Sequence, residues 1–531
     1  MTKSKGRPIA EMGLSDNKTA MRDLEVEIDR INAAMQDLSD KRRSLQTQRN
    51  SKLPFFSLAP KICVVIFSFA CHKGRLSWNR QLVTTPLVIS SVCRAWRDMA
   101  HSAPELWNSV SLCVDPSTEG SAIQAELLDQ WLRLAQTLPL SITITFNEKD
   151  VYKWNPHYEG YMPIPEDGMI ITSQLPIDVI SVAASYSRQW ESLDIFLPSA
   201  WAETLDSTKG RISNLRALSI QFVPYNYLDP SSFPKTFLDA PNLRTLTSEC
   251  ESTDMGPFPY HQLEKLTLWS SKTASFLAVL EKCSNLTSCK IIERRRVDLH
   301  PAYSHWQPAQ ITSVQLPKLV SLEISSSRLL GLLADLVAPA LEDIVISLGD
   351  VSQVEVFSAF LNRSNIVLKR LSIINDISGE ENLLTMLSTL THLSHLELSG
   401  VDSNARWRGL SRKFLDYLGS PDTTSGTSFP LPCLKSFKYR GRLNFGFLRI
   451  VGEEDEFDIG TLEKALLARW NAHLCSNGVS RLQTFCMSIS SWYGPSKVVF
   501  DIKQSPVVKD LIKEGMDLVF ESVIIKHFTE C

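Results

Sequence analysis

Cysteine is scarce in this sequence, and no apolar run is long enough to cross a membrane. The 11 cysteines among 531 residues are odd in number and widely scattered, which excludes a disulfide framework and favours a reducing compartment. The longest apolar run covers residues 62–71 and is broken only by Ser68, whereas a spanning helix needs about 20 such residues. Residues 1–20 are polar and charged and hold no apolar segment of the kind found in secretory signals. The sequence therefore predicts a cytoplasmic location, a nuclear location or both, and no membrane partner.

An excess of charge of one sign is also missing, and so are the motifs of common active sites. The 55 basic and 58 acidic residues give a net charge of −3, which argues against a nucleic-acid partner. The chain contains no glycine-rich phosphate loop, no paired-histidine or paired-cysteine metal motif and no nucleophile elbow. We interpret Cys283 and Cys289 as buried thiols rather than zinc ligands, because Cys289 falls at an apolar repeat position. We therefore predict a protein that is not an enzyme, with no catalytic residue, cofactor or metal.

The first 50 residues contain a heptad pattern, which predicts an N-terminal helix. Between residues 21 and 45, steps of three and four residues separate Met21, Leu24, Ile28, Ile31, Met35, Leu38 and Leu45, and Arg42 fills the remaining position. The segment begins acidic and ends basic, which suits the dipole of a helix and would favour an antiparallel partner. Two interpretations stay open: self-association through residues 21–45, or a lone amphipathic helix that lies on its own protein or frays in solvent.

Residues 51–115 are rich in apolar and aromatic side chains and predict a small all-α domain. Pro60, Pro86 and Pro104 each suit the first turn of a short helix, because proline lacks an N–H group that this turn leaves unpaired. One face of the first of these helices carries the apolar residues Ile62, Val65, Ile66 and Phe69. Three short helices bury only a small core, so apolar surface that remains exposed here would indicate a protein partner.

The rest of the chain is dominated by a repeat with the pattern Leu-x-x-Leu-x-Ile. Its copies begin at Trp190, Leu215, Leu243, Leu263, Leu286, Leu319, Leu341, Leu368, Leu393, Leu434 and Leu482. Most copies start 20 to 33 residues apart, with helix-like segments between them, as in leucine-rich repeats. One strand and helix cannot bury their apolar edge alone, whereas stacked copies form a continuous core. The pattern favours an α/β solenoid over residues 116–500, with parallel strands on its concave face and helices outside, rather than an ordinary α/β domain.

Two parts of this region are candidates for a recognition surface that binds another protein. Residues between the buried positions of a repeat strand face the concave side, and these candidates are Lys265, Trp269, Arg370, His395 and Glu397. The alternatives are that Trp269 packs under a neighbouring loop and that His395 is only solvated. A predicted loop near residues 150–168 adds the aromatic candidates Tyr152, Trp154 and Tyr158, unless this loop caps the end of the solenoid. A second loop is predicted near residues 419–430, and a cap or tail at residues 501–531.

The segment between residues 58 and 107 resembles the F-box family. The family pattern is Leu-Pro-x-Glu-Ile-Leu-x-x-Ile-Phe, followed after a spacer by Val-Cys-Arg-x-Trp-Arg and Leu-Trp. This chain reads Leu58-Ala59-Pro60-Lys61-Ile62-Cys63-Val64-Val65-Ile66-Phe67, then Val92-Cys93-Arg94-Ala95-Trp96-Arg97, then Leu106-Trp107. The second block matches closely, whereas the first departs from the pattern at Ala59, Lys61 and Cys63. With its N-terminal heptads and irregular repeats, most of the chain is similar to fungal F-box proteins with degenerate C-terminal leucine-rich repeats.

The resemblance implies a substrate-binding subunit of a ubiquitin ligase. F-box proteins bind a Skp-type adaptor and, through it, a cullin, while their repeats select the protein to be ubiquitinated and other subunits perform the chemistry. The adaptor contacts that it implies are Leu58, Pro60, Ile62, Ile66, Phe67, Val92, Cys93 and Trp96, and each of these residues also suits a plain helical core. The departures at Ala59, Lys61 and Cys63 keep an alternative open. This is a leucine-rich-repeat scaffold outside any ligase, which dimerises through its N-terminal coiled coil.

Overall fold

The chain divides into a helical unit, residues 1–108 with 134–136, and a sheet unit, residues 109–133 with 137–531. The structure is a computed structural model that describes residues 12–71, 85–115, 117–146, 152–155, 160–163, 176–198, 201–222, 234–249, 258–270, 273–293, 313–348, 351–374, 380–400, 410–420, 429–441, 457–475, 478–491 and 497–524. No helix within these ranges is long and apolar enough to cross a membrane.

Helices build the described part of the helical unit. They are α1 (Met12–Ser51), α2 (Pro60–Ala70), α3 (Thr85–Val92) and α4 (Arg94–His101), with short 3-10 helices at Pro54–Ser57 and Pro104–Leu106. Pro60 is the first residue of α2 and Pro86 is the second residue of α3, where the missing N–H group breaks no helical hydrogen bond. Proline therefore marks where these two helices begin, as the sequence predicts.

The sheet unit alternates strands and helices along most of its length. The strands are β1 (Ser109–Val114), β2 (Leu140–Phe146), β3 (Tyr152–Asn155), β4 (Gly160–Pro163), β5 (Trp190–Leu197), β6 (Ala217–Phe222), β7 (Thr245–Glu249), β8 (Lys265–Ser270), β9 (Ser288–Glu293), β10 (Val314–Gln315), β11 (Ser321–Ile324), β12 (Leu336–Val337), β13 (Asp343–Ser347), β14 (Arg370–Ile374), β15 (His395–Ser399), β16 (Ser436–Gly441), β17 (Thr484–Ser491) and β18 (Asp517–Ile524). The α-helices are α5 (Thr118–Leu134), α6 (Asp178–Ser185), α7 (Ala202–Asp206), α8 (Thr273–Leu280), α9 (Val351–Ser364), α10 (Glu380–Ser388), α11 (Arg412–Gly419), α12 (Ile459–Cys475), α13 (Lys497–Gln504) and α14 (Pro506–Lys513). Short 3-10 helices also occur in the connections, at Ser187–Gln189, Lys235–Asp239, Tyr260–Gln262 and Ser327–Asp335.

Fourteen strands form one parallel sheet whose strand order follows the order of the chain. The order is β1-β2-β5-β6-β7-β8-β9-β11-β13-β14-β15-β16-β17-β18. Each strand therefore pairs with the strand that follows it in the sheet, after a connection that returns the chain to the same edge. Strands β10 and β12 form a separate parallel pair, and β3 and β4 form an antiparallel hairpin. The predicted α/β class with parallel strands is confirmed.

The parallel register stacks the apolar residues of successive repeats into ladders. Leu266 pairs with Cys289, Cys289 with Leu322, and Leu322 in turn with Ile344. Each of the eleven predicted copies supplies residues to one strand of the sheet, and its first residue is at most 3% exposed. Because fully burying one leucine stabilises by roughly 2 kcal/mol, these ladders provide much of the core of the sheet unit.

Three stretches differ from the sequence prediction. Residues 109–114, which the sequence places at the end of the helical domain, form the first strand of the sheet. Residues 517–524, predicted within a cap or tail, form the last strand. The predicted loop near residues 150–168 contains the β3–β4 hairpin, because tyrosine and tryptophan favour extended backbone. Residues 421–428 of the second predicted loop lie outside the described residues.

Candidate protein-binding surfaces

Aromatic side chains hold the short helices of the helical unit together. The rings of Phe55, Phe67 and Trp96 form a cluster with centroid separations of 4.8 to 5.8 Å. The indole N–H of the buried Trp107 donates to the carbonyl oxygen of Ala100 at 2.7 Å. The ring cluster engages one side of α2, on which Phe67 lies one turn after the buried Cys63.

Another side of α2 is apolar and exposed. Its four residues are spaced by three, four and seven positions, which puts them on one helical face, and they are 42 to 67% exposed: Ile62, Val65, Ile66 and Phe69. Apolar residues around this helix and on α3 are also exposed, namely Leu58, Leu87, Val88 and Val92. The only charged residue of α2 is Lys61, in its first turn. Contiguous apolar surface on a small unit indicates a site for another protein.

The eight residues implied as adaptor contacts differ in how far they are exposed. Five are exposed, namely Leu58, Pro60, Ile62, Ile66 and Val92. Phe67 is 2% exposed and belongs to the core instead, because it shares the inward side of α2 with Cys63. Trp96 is half-buried in the aromatic cluster, and Cys93 is half-buried where extended backbone separates α3 from α4. Sequence reasoning left Val65 and Phe69 out of the contact set, although their helical spacing from Ile62 could have included them.

The main sheet presents a continuous row of residues that are at least partly exposed, one from each of its fourteen strands. In register order these residues are Ser111, Thr143, Asp194, Ser219, Thr247, Thr267, Lys290, Glu323, Val345, Ser372, Glu397, Lys438, Cys486 and Val519. Eleven of the fourteen are charged or carry a hydroxyl group. Successive side chains of a strand point to opposite faces of a sheet, so this row lies on the face away from the buried ladders. We call this face, with its exposed donors and acceptors, the polar face.

The predicted substrate-binding residues of the sheet do not form one cluster. Arg370 and His395 are register partners on β14 and β15, and Glu397 lies two residues further along β15. Lys265 is on β8, four strand spacings from Arg370, which amounts to about 19 Å across the sheet. The structure therefore brings Arg370, His395 and Glu397 together and leaves Lys265 and Trp269 as a separate pair on β8.

The aromatic candidates for substrate binding have less support from the structure. Trp269 is half-buried, and its indole N–H is buried without a hydrogen-bond partner in the part of the chain that the structure describes. It therefore offers a partner only part of its ring. Tyr152 and Trp154 lie on strand β3 of the hairpin, and Tyr158 lies outside the described residues.

His395 lies among cationic side chains on the polar face. Partial burial lowers the pKa of His395 below its ordinary value, and the positive charges of Arg370, Lys435 and Lys438 lower it further, against the opposing effect of Asp343. The Arg370 guanidinium itself pairs with the Asp343 carboxylate at 3.1 Å. The neutral form of His395 is therefore favoured near neutral pH.

We expect the His395 ring to titrate below its ordinary pKa, and Arg370→Gln to raise that pKa by removing one of the neighbouring cations. The measurement is the imidazole carbon chemical shift of selectively labelled full-length protein as a function of pH. Lys265→Gln is the matched control, because about 24 Å, or five strand spacings, exceeds the screening length in physiological salt. An unchanged titration in Arg370→Gln would contradict this assignment.

The two cysteines weighed as metal ligands are buried thiols. Cys283 and Cys289 are at most 1% exposed, and the Sγ of Cys283 donates to the carbonyl oxygen of Val279 at 3.3 Å. Burial raises the pKa of Cys283 to about 12 and also raises the pKa of Cys289, so both side chains stay protonated at neutral pH. Within the described ranges, no group of three or more His, Cys, Asp or Glu side chains is placed to hold a metal ion.

No protein-family model matches the chain, and no curated protein matches it. What the protein binds is therefore inferred from the exposed apolar side of α2 and the polar face of the sheet.

Proposed function

We propose that the protein is the substrate-binding subunit of a Skp–cullin–F-box ubiquitin ligase. In this proposal the helical unit is an F-box that binds the adaptor, and the sheet unit is an irregular leucine-rich-repeat solenoid that binds the target protein. The observation that carries the proposal is the exposed apolar side of α2, which coincides with the first block of the F-box-like motif.

An exposed apolar side of a helix favours association, because moving apolar surface out of water into a protein contact is favourable. Fully burying one side chain of this size is worth roughly 1.5–3 kcal/mol, and four such side chains lie together on α2. Lys61 is the single charge on this helix, so the remainder of its exposed surface offers water few polar groups. A partner with a complementary apolar surface would remove water from Ile62, Val65, Ile66 and Phe69 at once.

The solenoid is supported by how the strands follow one another. Each repeat copy supplies one strand, and the next strand of the sheet comes from the following copy. A single copy could not bury its apolar residues, whereas neighbouring copies bury them against each other in the ladders. This dependence on immediate neighbours is typical of leucine-rich repeats.

A protein target suits the polar face better than a small molecule does. The row of partly exposed residues crosses all fourteen strands and offers hydroxyl, carboxylate and ammonium groups without interruption by a large apolar patch. Lys290 and Glu323 already pair with each other at 2.8 Å, so the charges of this face are not all available to a target. Arg370 likewise pairs with Asp343, but it lies beside His395 and near Glu397, so these three neighbouring residues are the first positions to vary in a search for the target.

A leucine-rich-repeat scaffold outside any ligase is the alternative function. Two of the three departures from the F-box pattern, Ala59 and Lys61, are exposed where α2 begins and would meet an adaptor directly. The third, Cys63, is 1% exposed and alters the core rather than the surface. In this alternative, the scaffold dimerises through the apolar heptad residues of α1.

Binding of the full-length chain to a purified Skp-type adaptor, measured by calorimetry, tests the proposal. We expect the unmodified protein to bind, and Ile66→Asp to weaken binding by about a hundredfold or more, because a carboxylate would be buried in an apolar contact. Val367→Asp changes an apolar residue of the sheet unit that is 52% exposed, against 42% for Ile66, and serves as the matched control that should bind normally.

A folded chain, checked by circular dichroism, that does not bind the adaptor at tens of micromolar would overturn the ligase proposal and make the scaffold the better account. Binding that Ile66→Asp leaves unchanged would keep the ligase and overturn only the exposed side of α2 as the contact.

A further inference from the structure

The heptad side of α1 is exposed to solvent. Its seven apolar residues, from Met21 to Leu45, are 51 to 65% exposed, and Arg42 in the same seam is exposed as well. Of the two interpretations of this segment, the structure therefore does not support a helix whose apolar side lies on its own protein. An apolar stripe of this length is the seam that a coiled coil requires.

The seam is symmetric about residue 33. If a second copy of the helix runs in the opposite direction and is centred on Ala33, every a position meets a d position. The four resulting layers are Met21 with Leu45, Leu24 with Arg42, Ile28 with Leu38, and Ile31 with Met35, each formed twice. Every seam residue between 21 and 45 is thus used, and none is left without a partner in the opposite copy.

The charges that flank the seam also match in this arrangement. In an antiparallel pair the g positions of the two helices face each other, so Glu27 meets Lys41 of the second copy, and by symmetry this pair forms twice. Arg42 of the second copy lies opposite Leu24, next to the carboxylate of Glu25. The acidic first half of the helix therefore lies along the basic second half.

A parallel pair in register is much less favourable. It would place Arg42 against Arg42 of the second copy in one layer, which buries like charges together. The facing g and e positions would be Ala20 with Glu25, Glu27 with Asn32, Ala34 with Ser39, and Lys41 with Gln46, and none of these is an ion pair.

We propose that two copies of this chain associate through α1 as an antiparallel coiled coil centred on residue 33. The C-terminal ends of the two α1 helices, at Ser51, would then lie about 54 Å apart, at opposite ends of the pair. The two helical units would be presented in opposite directions, so one dimer could hold two partners. This inference does not rest on the proposed ligase function, because it involves neither α2 nor the sheet.

The oligomeric state of the full-length chain, measured by sedimentation at micromolar concentrations, is the first test. We expect a dimer that Ile28→Asp converts to a monomer, because the change places a carboxylate in a central layer. Val26→Asp is the matched control, since Val26 is a β-branched residue on the same helix, 67% exposed but outside the seam. A chain that stays monomeric at tens of micromolar overturns the proposal, and so does a dimer that Ile28→Asp does not affect.

Charge exchange tests the orientation. Lys41→Glu should weaken the dimer by roughly tenfold, because two attractive pairs become repulsive. Glu27→Lys should act in the same direction, although Glu27 also lies 3.8 Å from Arg30 within its own helix. The double change Glu27→Lys with Lys41→Glu should restore the dimer, because the opposite charges then face each other again. A dimer that is indifferent to both single changes would overturn the antiparallel arrangement.

Discussion

Replacing Trp107 by alanine is expected to unfold the helical unit while the sheet unit keeps its structure. Trp107 is 1% exposed, its indole N–H donates to the carbonyl oxygen of Ala100, and its ring packs nearly perpendicular to that of His101 with centroids 5.5 Å apart. Truncating a buried tryptophan costs about 3–5 kcal/mol, which is most of the free energy of unfolding available to a unit with so small a core.

Hydrogen exchange with mass spectrometry can follow the two units separately in the full-length chain. We expect Trp107→Ala to remove protection from α3 and α4 and to leave the strands β13 and β14 protected. Trp107→Phe keeps most of the packing and loses the hydrogen bond, so it should cost only about 1–2 kcal/mol and leave the unit folded. Protection of α3 and α4 that survives Trp107→Ala would contradict the central position of this side chain.

The repeat could be predicted from the sequence because the residues that define each copy lie close together in the chain. Each copy carries its buried residues within six positions, and the parallel strand that it pairs with comes from the next copy. The edge strands β1 and β18 do not carry the leucine pattern, so the sequence assigns them elsewhere. Val110, Leu112 and Val114 alternate with other residues in β1, which indicates a strand but not which sheet it joins.

The motif of the helical unit does not separate the two sides of α2. Ile66 and Phe67 are neighbours in the motif, but successive residues of a helix point about 100° apart. Ile66 is therefore 42% exposed, while Phe67 is 2% exposed and packs against Trp96 at a centroid separation of 4.9 Å. The family pattern includes both residues and does not distinguish exposed positions from buried ones. Only the angular position on the helix shows which of the two a partner can reach.

Distances across the sheet are the part of the candidate site that sequence could not provide. Lys265 and Arg370 have the same position within their repeats, and the register places both in one row of the sheet. Their separation depends on how many strands intervene, and the sequence does not show that β10 and β12 lie outside the main sheet. Only the strand order therefore shows that Arg370 and His395 are neighbours, whereas Lys265 is not part of their group.

Among the charged residues that the structure describes in the sheet unit, Arg469 on α12 should be the most sensitive to substitution. It is 0% exposed, its Nη2 donates to the carbonyl oxygens of Pro430 and Leu431, and its guanidinium lies 5.4 Å from the centre of the Phe429 ring. Burial lowers the pKa of Arg469 to about 10, so the side chain is still charged at neutral pH. Its Nε and Nη1 have no hydrogen-bond partner in the described ranges. The two carbonyl groups therefore offset much of the free-energy cost of burying the guanidinium charge.

The backbone that Arg469 contacts explains why a buried guanidinium group, with its large desolvation penalty, occurs at this position. Leu431 has a φ of 52°, in the left-handed region, which costs a non-glycine residue roughly 1–2 kcal/mol. The two hydrogen bonds from Arg469 hold this turn in place just before strand β16. We therefore expect Arg469→Ala to lower the free energy of unfolding by about 3–5 kcal/mol, since it leaves a cavity and removes the donor to two carbonyl groups.

Arg469→Met is the informative companion, because it fills most of the same volume without burying a charge. It should cost only about 1–2 kcal/mol, since the desolvation penalty of the guanidinium disappears together with its hydrogen bonds. Urea denaturation gives the two free energies, and hydrogen exchange at residues 429–441 locates the change. Equal losses in the two variants would mean that the hydrogen bonds to Pro430 and Leu431, rather than the packing of the arginine stem, stabilise this turn.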